Sequence, residues 1–351
     1  MTYTSGGFVE EEIITIAADE LAAACELALR SLGTPDDIAD LVARSLVASE
    51  VADVPSHGVL RLKEYLHEAR TGVLDVKARP QIRAPSSQVR IVDGRCGFGV
   101  LAAQAVVENL CDLLDAHTLC AVALTNAGHI GRLADVGRPV ALRRGAVLGF
   151  VNYLGGGQRV VPWQGRDGRL CTNPLLVAVP AHPEPFVLDM STSTVSEGKI
   201  RERWLTGLDV PSDWLVDADG GAVNDPARLY SDPPTAFMTP LGGSHGYKGF
   251  GLGIAVELLA GVVTGAGFAQ PGVDRRGNGG LFIGLTTTLA GRAQDEVLHE
   301  AGALRAHLLS SATAVRWPGD RSAGAVDADA VRINQRVWAE ILRYARGKDA
   351  W

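Results

Sequence analysis

The sequence predicts an α/β protein whose mixed or parallel sheet lies between helical segments at the two chain ends. Three observations predict it. Apolar residues recur at three- and four-residue spacing before residue 75, short β-branched runs alternate with helical stretches after Pro80, and helical spacing returns from Asp295 onward. With 351 residues, 46% of them hydrophobic, the chain can build sizeable cores in two or three domains.

From Glu10 to about Glu50 the Ala-rich pattern reads as helix, with Thr34-Pro35-Asp36-Asp37 as a capped start. A further helix is expected from Pro55 to about Arg70, ended by Thr71-Gly72, so the first 75 residues read as all-helical. Val89–Val92 then reads as a strand, Phe98–His117 as a helix and Cys120–Leu124 as a buried strand. His129–Arg144 is the next helix and Ala146–Asn152 the next strand. Leu175–Val179 and Phe186–Leu188 are expected strands about the turn Ala181–Pro185, and the Asp, Gly and Pro content of Leu208–Pro234 suggests a long surface excursion. A helix at Gly249–Thr264, a loop at Gln270–Gly280 and a strand at Leu281–Leu285 follow, then helices at Asp295–Ser310 and Asp327–Tyr344.

Composition narrows the function. A net charge of −7 argues against a general nucleic-acid binder, which needs a basic face. The five cysteines are scattered without a CxxC pair, so neither a metal site nor a disulfide framework is suggested, and they read as thiols of a reducing compartment. The N-terminal MTYTSGGFVEEEI lacks the basic and apolar regions of a signal peptide, and the apolar stretch Gly249–Ala266 carries Glu257. A cytoplasmic protein without membrane partners is expected.

Redox chemistry without metal ligands needs an organic cofactor. Gly97-Phe-Gly99-Val-Leu-Ala102 fits the dinucleotide fingerprint G-x-G-x-x-A, yet the following strand ends in Thr125-Asn126 where an acidic residue should bind the ribose. A tight strand-to-helix turn explains the glycines as well. Three other clusters compete to hold phosphates or carboxylates: Gly128-His129-Ile130-Gly131-Arg132, Asp189-Met-Ser-Thr-Ser-Thr194 and Gly246-Tyr-Lys248-Gly-Phe-Gly251.

The segment Pro55–Tyr65 carries the chemistry. If it is helical, His57, Arg61 and Tyr65 fall at i, i+4 and i+8 on one face. Reducing a 2-oxo acid needs a proton donor at the carbonyl oxygen and a cation on the carboxylate, which an imidazole and a guanidinium supply. A helix N-terminus nearby would keep His57 neutral. An ordinary exposed helix face bearing a histidine and an arginine remains the alternative.

Seven stretches, in register from about residue 10 to beyond 335, extend this reading. They are SHGVLRLKEY (56–65), NAGHIGRL (126–133), TNP (172–174), LDMSTSTVSEGKI (188–200), GYKGFGLGIAVELLAGVVTGAG (246–267), NGGLFI (278–283) and WPGD (317–320). In these the chain resembles the malate/L-lactate dehydrogenase family of the non-Rossmann type. That family includes ureidoglycolate, sulfolactate and hydroxycarboxylate dehydrogenases and piperideine-2-carboxylate reductase. The resemblance implies a non-Rossmann nicotinamide-binding mixed-sheet domain joined to a helical domain built from both chain ends. Residues 1–75 would form the helical N-terminal part with the substrate-site helix, 76–294 the α/β cofactor- and substrate-binding domain, and 295–351 a helical C-terminal part packing with the first.

The same resemblance implies the roles. His57 would be the acid/base, Ser56 and Asp189 its relay partners, and His129 a second candidate acid/base. Arg61 would clamp the substrate carboxylate, with Tyr65 beside it. NAD or NADP would be held by His129, Gly131, Arg132, Leu133, Asp189, Met190, Ser191, Thr192, Lys248 and Gly319. The partners implied are a small carboxylic acid and a second copy in a homodimer, with no nucleic acid and no metal. The chain departs from the family pattern at Pro55, where an Asp commonly precedes Ser-His-Gly, at Gly-Leu-Thr-Thr-Thr (284–288), and at Tyr247, where many members carry His. These departures bear on substrate identity. A 2-hydroxyacid dehydrogenase or 2-oxoacid reductase leads, a cyclic imine reductase using the same site is the alternative, and a catalytically silent cofactor-binding protein is the third reading.

Overall fold

The computed structural model describes residues 13–143, 145–155, 157–273, 277–312, 314–320 and 329–347. The chain begins with a strand where helix was expected: β1 (Ile13–Ala17) pairs antiparallel with β12 (Ala330–Asn334) near the other end. β1 is a β-branched run and β12 buries Val331 and Ile333 in alternation, both patterns that suit a pleated surface better than a helix. Residues 10–12, 327 and 328 lie outside the described residues. The expected helix over 327–344 therefore resolves into β12 and α9 (Gln335–Ala345), capped where the Asn334 side chain accepts from the Arg336 and Val337 amides.

α1 (Ala18–Arg30) and α2 (Asp36–Val51) pack side by side, with Ala28, Ala39 and Ala43 at full burial letting the axes approach. No side chain caps α2; Thr34 is buried with its hydroxyl unpartnered, and Pro35 precedes the first turn instead. α3 (Leu60–Arg70) adds Leu62, Tyr65 and Leu66 to the same core, which Val331, Ile333, Ile341 and Tyr344 close from the C-terminal end.

A seven-stranded sheet has the order β2-β3-β4-β11-β5-β6-β7. Its strands are β2 (Gln81–Ser86), β3 (Val89–Asp93), β4 (Leu119–Ala127), β5 (Gly145–Leu154), β6 (Leu175–Val179), β7 (Phe186–Met190) and β11 (Gly277–Thr286). β3 and β4 run parallel through the crossover helix α4 (Gly99–Ala116), and the other neighbours are antiparallel, so the sheet is mixed. β2 was not expected, being an edge strand exposed along its length. α4 and α5 (Ala134–Arg143) bury Val106, Leu110, Val136 and Val140 against Val122, Leu124, Leu176 and Phe282. The expected helix at 129–144 begins only at Ala134, because Gly131 at φ +79° breaks the earlier residues into a loop.

The stretch 208–234 is more than a surface excursion. β8 (Leu215–Val216), β9 (Ala222–Val223) and β10 (Phe237–Met238) form a small sheet over a third core containing Val160, Ile200, Leu215 and Met238. The core includes the first part of α6 (Glu197–Leu205). α7 (Tyr247–Val256) continues without a break into a π-helical stretch, Glu257–Val263, which lies against β5 and β11. α8 (Gln294–Leu309) lies beside His182 at the β6–β7 turn, while α9 packs on α1.

Candidate active site

The Ser-His-Gly stretch does not continue the helix that follows it. Pro55–His57 forms a single 3-10 turn, Gly58 is extended at φ −88° and ψ −152°, and α3 starts at Leu60. His57 therefore does not share a helical face with Arg61 and Tyr65 at i, i+4 and i+8. The turn is held from below by Glu50, whose carboxylate accepts from the Val59 amide at 2.8 Å and leaves no room for a side chain at Gly58. The acidic residue missing at position 55 has no counterpart in the turn itself, and Glu50 brings a carboxylate to it from α2. Burial pushes the Glu50 carboxyl up to about 7.

Although the helix breaks, the side chains meet. Ser56 Oγ lies 3.0 Å from His57 Nδ1, and the His57 and His129 rings face each other with centroids 5.2 Å apart. Tyr65 Oη lies 3.0 Å from His129 Nδ1. Arg61 donates from Nε to the Ser56 carbonyl at 2.8 Å and from Nη1 to Glu64 at 2.6 Å. Ser56, His57, Arg61 and His129 line one cavity of about 390 Å³. His129 reaches it because Gly99 has no side chain: a Cβ there would collide with the Gly128 carbonyl and the His129 backbone. The Gly97–Ala102 fingerprint is thus a structural turn carrying the 128–133 loop.

Both histidines are held neutral. Burial, with help from Arg61 and Arg132, lowers the His57 imidazole to about 3. Burial, then Arg61 and His57, drops His129 well below its usual range. The neutrality expected for His57 has burial as its main cause, and no long helix starts at this residue. Burial lowers the Arg61 guanidinium, but Glu64 and Glu197 more than offset that and hold it charged.

The cavity floor is a buried amide network. Glu257, from the π-helical stretch, accepts from Asn152 Nδ2 at 2.9 Å, Asn173 Nδ2 at 2.6 Å and the Ala269 amide at 2.6 Å. Asn278 donates to the Asn152 carbonyl and accepts from the Ile130 amide, which ties the floor to the histidine loop. The Oδ1 atoms of Asn152 and Asn173, both cavity-lining residues, are buried without a hydrogen-bond partner. Such orphaned acceptors are costly unless a ligand supplies donors.

Several expected cofactor residues sit elsewhere. Gly131 and Leu133 line the cavity; Arg132 is turned away and paired bidentately with Asp135 at 3.0 and 2.7 Å. Asp189 is exposed at the end of β7 and accepts from the Ala134 amide at 2.9 Å, and among the described residues no hydrogen bond joins it to His57. Thr192 is buried and bonds the carbonyls of Thr172 and Asn173, clamping the TNP stretch, while Ser191 bonds the Ser193 carbonyl and Met190 is half-buried beside it. Lys248 is exposed near the start of α7, and Gly319, at φ +109°, packs on Pro185 and Val187 at the β7 edge. Sequence reasoning did not single out Arg159, Glu197, Arg201 or Glu64, which also line the cavity. Glu64 and Glu197 lay within recognised stretches, and Arg159 and Arg201 carry no local signal.

The cavity brings together two neutral imidazoles and a charged guanidinium. Residues 16–342 match the malate/L-lactate dehydrogenase family, and the chain belongs to that family. It is 32% identical over 327 residues to L-lactate dehydrogenase of Cupriavidus necator, covering 89% of this chain and 91% of that protein. It is 27% identical over 317 residues to the Delta(1)-pyrroline-2-carboxylate/Delta(1)-piperideine-2-carboxylate reductase of Pseudomonas putida, covering 88% and 89%. The fold matches an E. coli structure provisionally assigned as a malate/lactate dehydrogenase with TM-score 0.86 and 25% identity over 95% of each chain.

Proposed function

We propose that this protein transfers a hydride between NAD or NADP and C2 of a small 2-hydroxy or 2-oxo carboxylic acid. The observation that carries the reading is the convergence of His57, His129 and Arg61 on one cavity. The orphaned Asn173 oxygen, on a cavity-lining residue, would accept from the amide of a nicotinamide carboxamide, and Gly131 and Leu133 would flank it. When bound, the reduced nicotinamide supplies the hydride.

The chain's own residues do the rest. Arg61 has spent Nε on Ser56 and one Nη1 hydrogen on Glu64, so hydrogens on both terminal nitrogens remain for the substrate carboxylate. His57, neutral in the free enzyme, takes up its proton when an anionic acid arrives and delivers it to the C2 oxygen in reduction. In oxidation it accepts the hydroxyl proton. Ser56 fixes the ring through Nδ1, leaving Nε2 to face the oxygen. His129, oriented by Tyr65, is the second donor to the same oxygen.

A cyclic imine reductase is the second reading, favoured by the likeness to the P. putida reductase. A C=N beside a carboxylate needs the same acid and the same clamp. The other proposals are a homodimer, the division of labour among residues 1–75, 76–294 and 295–351, and a reducing, cytoplasmic location suggested by five unpaired cysteines. Among the described residues no helix is long and apolar enough to cross a membrane.

The test follows oxidation of NADH and of NADPH with glyoxylate, pyruvate, hydroxypyruvate, oxaloacetate, phenylpyruvate and piperideine-2-carboxylate. Turnover of any 2-oxo acid supports the main reading, turnover of the imine alone supports the second, and silence throughout overturns both.

A further inference from the structure

The joint between the Ser-His turn and α3 is made by a residue that belongs to neither. α3 starts without a cap of its own: the Val59 side chain accepts nothing from the first turn, and the position that a capping box gives to Glu or Gln is the buried Leu62. The Val59 amide, which such a Glu would take, donates instead to Glu50 Oε1 at 2.8 Å. Glu50 stands in the last turn of α2. The chain folds back over that turn because Asp53 takes φ +56° and the Val54 amide returns to the Ser49 carbonyl at 2.9 Å.

Two close approaches grip the Ser-His turn. A Cβ on Gly58 would collide with the Glu50 carboxyl, and a Cβ on Gly198 of α6 would collide with Ser56. Inside the turn the His57 amide donates to the Val54 carbonyl and the Gly58 amide to the Pro55 carbonyl, both at 3.0 Å. Only Gly58 and Val59 separate His57 from the first residue of α3, so the placement of the imidazole against the Arg61 guanidinium turns on these two residues. Glu50 touches both of them. The charges acting on Glu50 are Asp53 and, from α6, Glu202, both anionic, and the Cys25 thiol of α1 is close enough to feel Glu50. Burial and these anions favour the protonated carboxyl, which still offers an oxygen to the Val59 amide and which glutamine imitates.

We propose that Glu50 is a positioning residue: by capping α3 from α2 it sets where His57 stands relative to Arg61, and so aligns the proton with a substrate that the guanidinium holds. The inference rests on the reading of His57 as acid/base and Arg61 as clamp.

The experiment measures kcat and KM for the best 2-oxo acid or imine with Glu50→Leu, Glu50→Gln, Gly58→Ala and the double variant Glu50→Leu/Gly58→Ala. Glu50→Leu is expected to lose about 10- to 100-fold in kcat, the scale of a misplacement of about 1 Å, while KM stays within about threefold because Arg61 still clamps the carboxylate. Glu50→Gln keeps kcat within about threefold. Gly58→Ala pushes Glu50 off the Val59 amide and reproduces the kcat loss with Glu50 present, which carries the test if Glu50→Leu does not fold. The double variant loses no more than the worse single one, since both changes break the same contact. Wild-type kcat in either single variant, equal losses in the Leu and Gln variants, losses that multiply in the double variant, or a rise in KM alone overturn the proposal.

Should neither acid nor imine turn over, the hydride-transfer reading fails, and the joint is read from the His57 imidazole signals in NMR spectra instead. Signals that move in Glu50→Leu and Gly58→Ala but not in Glu50→Gln uphold the placement of His57 by Glu50. Signals unchanged in all three variants overturn it.

Discussion

The phenol oxygen of Tyr65 stands 3.0 Å from Nδ1 of His129, so a side chain from α3 fixes the imidazole of a loop 64 residues away. Tyr65 is only 3% exposed, and burial pushes its phenol well up, which keeps the hydroxyl protonated. It can then donate to Nδ1, leaving His129 with its hydrogen on Nε2, facing the cavity. Tyr65→Phe removes this bond but keeps the edge contact with Phe98. We predict a drop in kcat/KM of about 5- to 30-fold, from the loss of roughly 1–2 kcal/mol of orientation, with Tm nearly unchanged. Steady-state kinetics beside a thermal melt check it, and unchanged kinetics would remove His129 from the mechanism.

Arg61→Lys keeps the charge but loses the planar fork that serves Ser56, Glu64 and the substrate together. The expected result is a fall in kcat/KM of about 10- to 100-fold, on the scale of one buried charge-assisted hydrogen bond. Measured against a 2-oxo acid, most of it should be a rise in KM. Wild-type kinetics would mean that another cation clamps the carboxylate.

The pH dependence has opposite signs on the two sides of the Ser-His turn. His57 and His129 have lowered folded values, so the stability they contribute is full above the unfolded value near ~6.5 and is lost as pH falls below it. Glu50 is raised from 4.5 to about 7, so its contribution is full below 4.5 and is lost as pH rises through about 7. Glu50→Gln keeps an oxygen for the Val59 amide and removes the charge. Its Tm is expected to exceed that of the wild type near pH ~8, with the gap closing near pH ~4. A constant gap across that range would show that Glu50 is not held protonated.

Gly99→Ala places a methyl group against the Gly128 carbonyl and the His129 backbone, none of which can move like a side-chain end. A cost of about 1–3 kcal/mol is expected, as for overpacking, together with displacement of His129. Denaturant melts and kinetics should show activity lost out of proportion to stability. Full activity in a stable Gly99→Ala variant would contradict the close approach.

The middle of the fold was legible because its strands are short apolar runs between turn residues, as at Leu175–Val179 and Cys120–Leu124. The pairing of β1 with β12 was not, since each strand finds its partner more than 300 residues away and neither forms a sheet alone. Gly58 was read as an ordinary helical residue, and the break there depends on Glu50 in another helix. Ser56, His57, Arg61 and His129 were legible from motif and chemistry together. Arg159, Glu197 and Arg201 were not, because the small β8–β10 unit and α6 bring together residues from separate stretches. Asp189 shows the converse: its neighbours in sequence suggested the site, while its hydrogen bond anchors the first turn of α5.

The central claim is that His57 exchanges the substrate proton in a nicotinamide-dependent reaction. It is tested most directly by His57→Ala, measuring turnover of the best 2-oxo acid alongside binding of the reduced nucleotide by fluorescence. The account predicts a loss in kcat of about 10²- to 10⁴-fold, the usual worth of a positioned acid/base, with nucleotide affinity changed less than about threefold. Turnover close to wild type in the variant would contradict it and move the chemistry to His129.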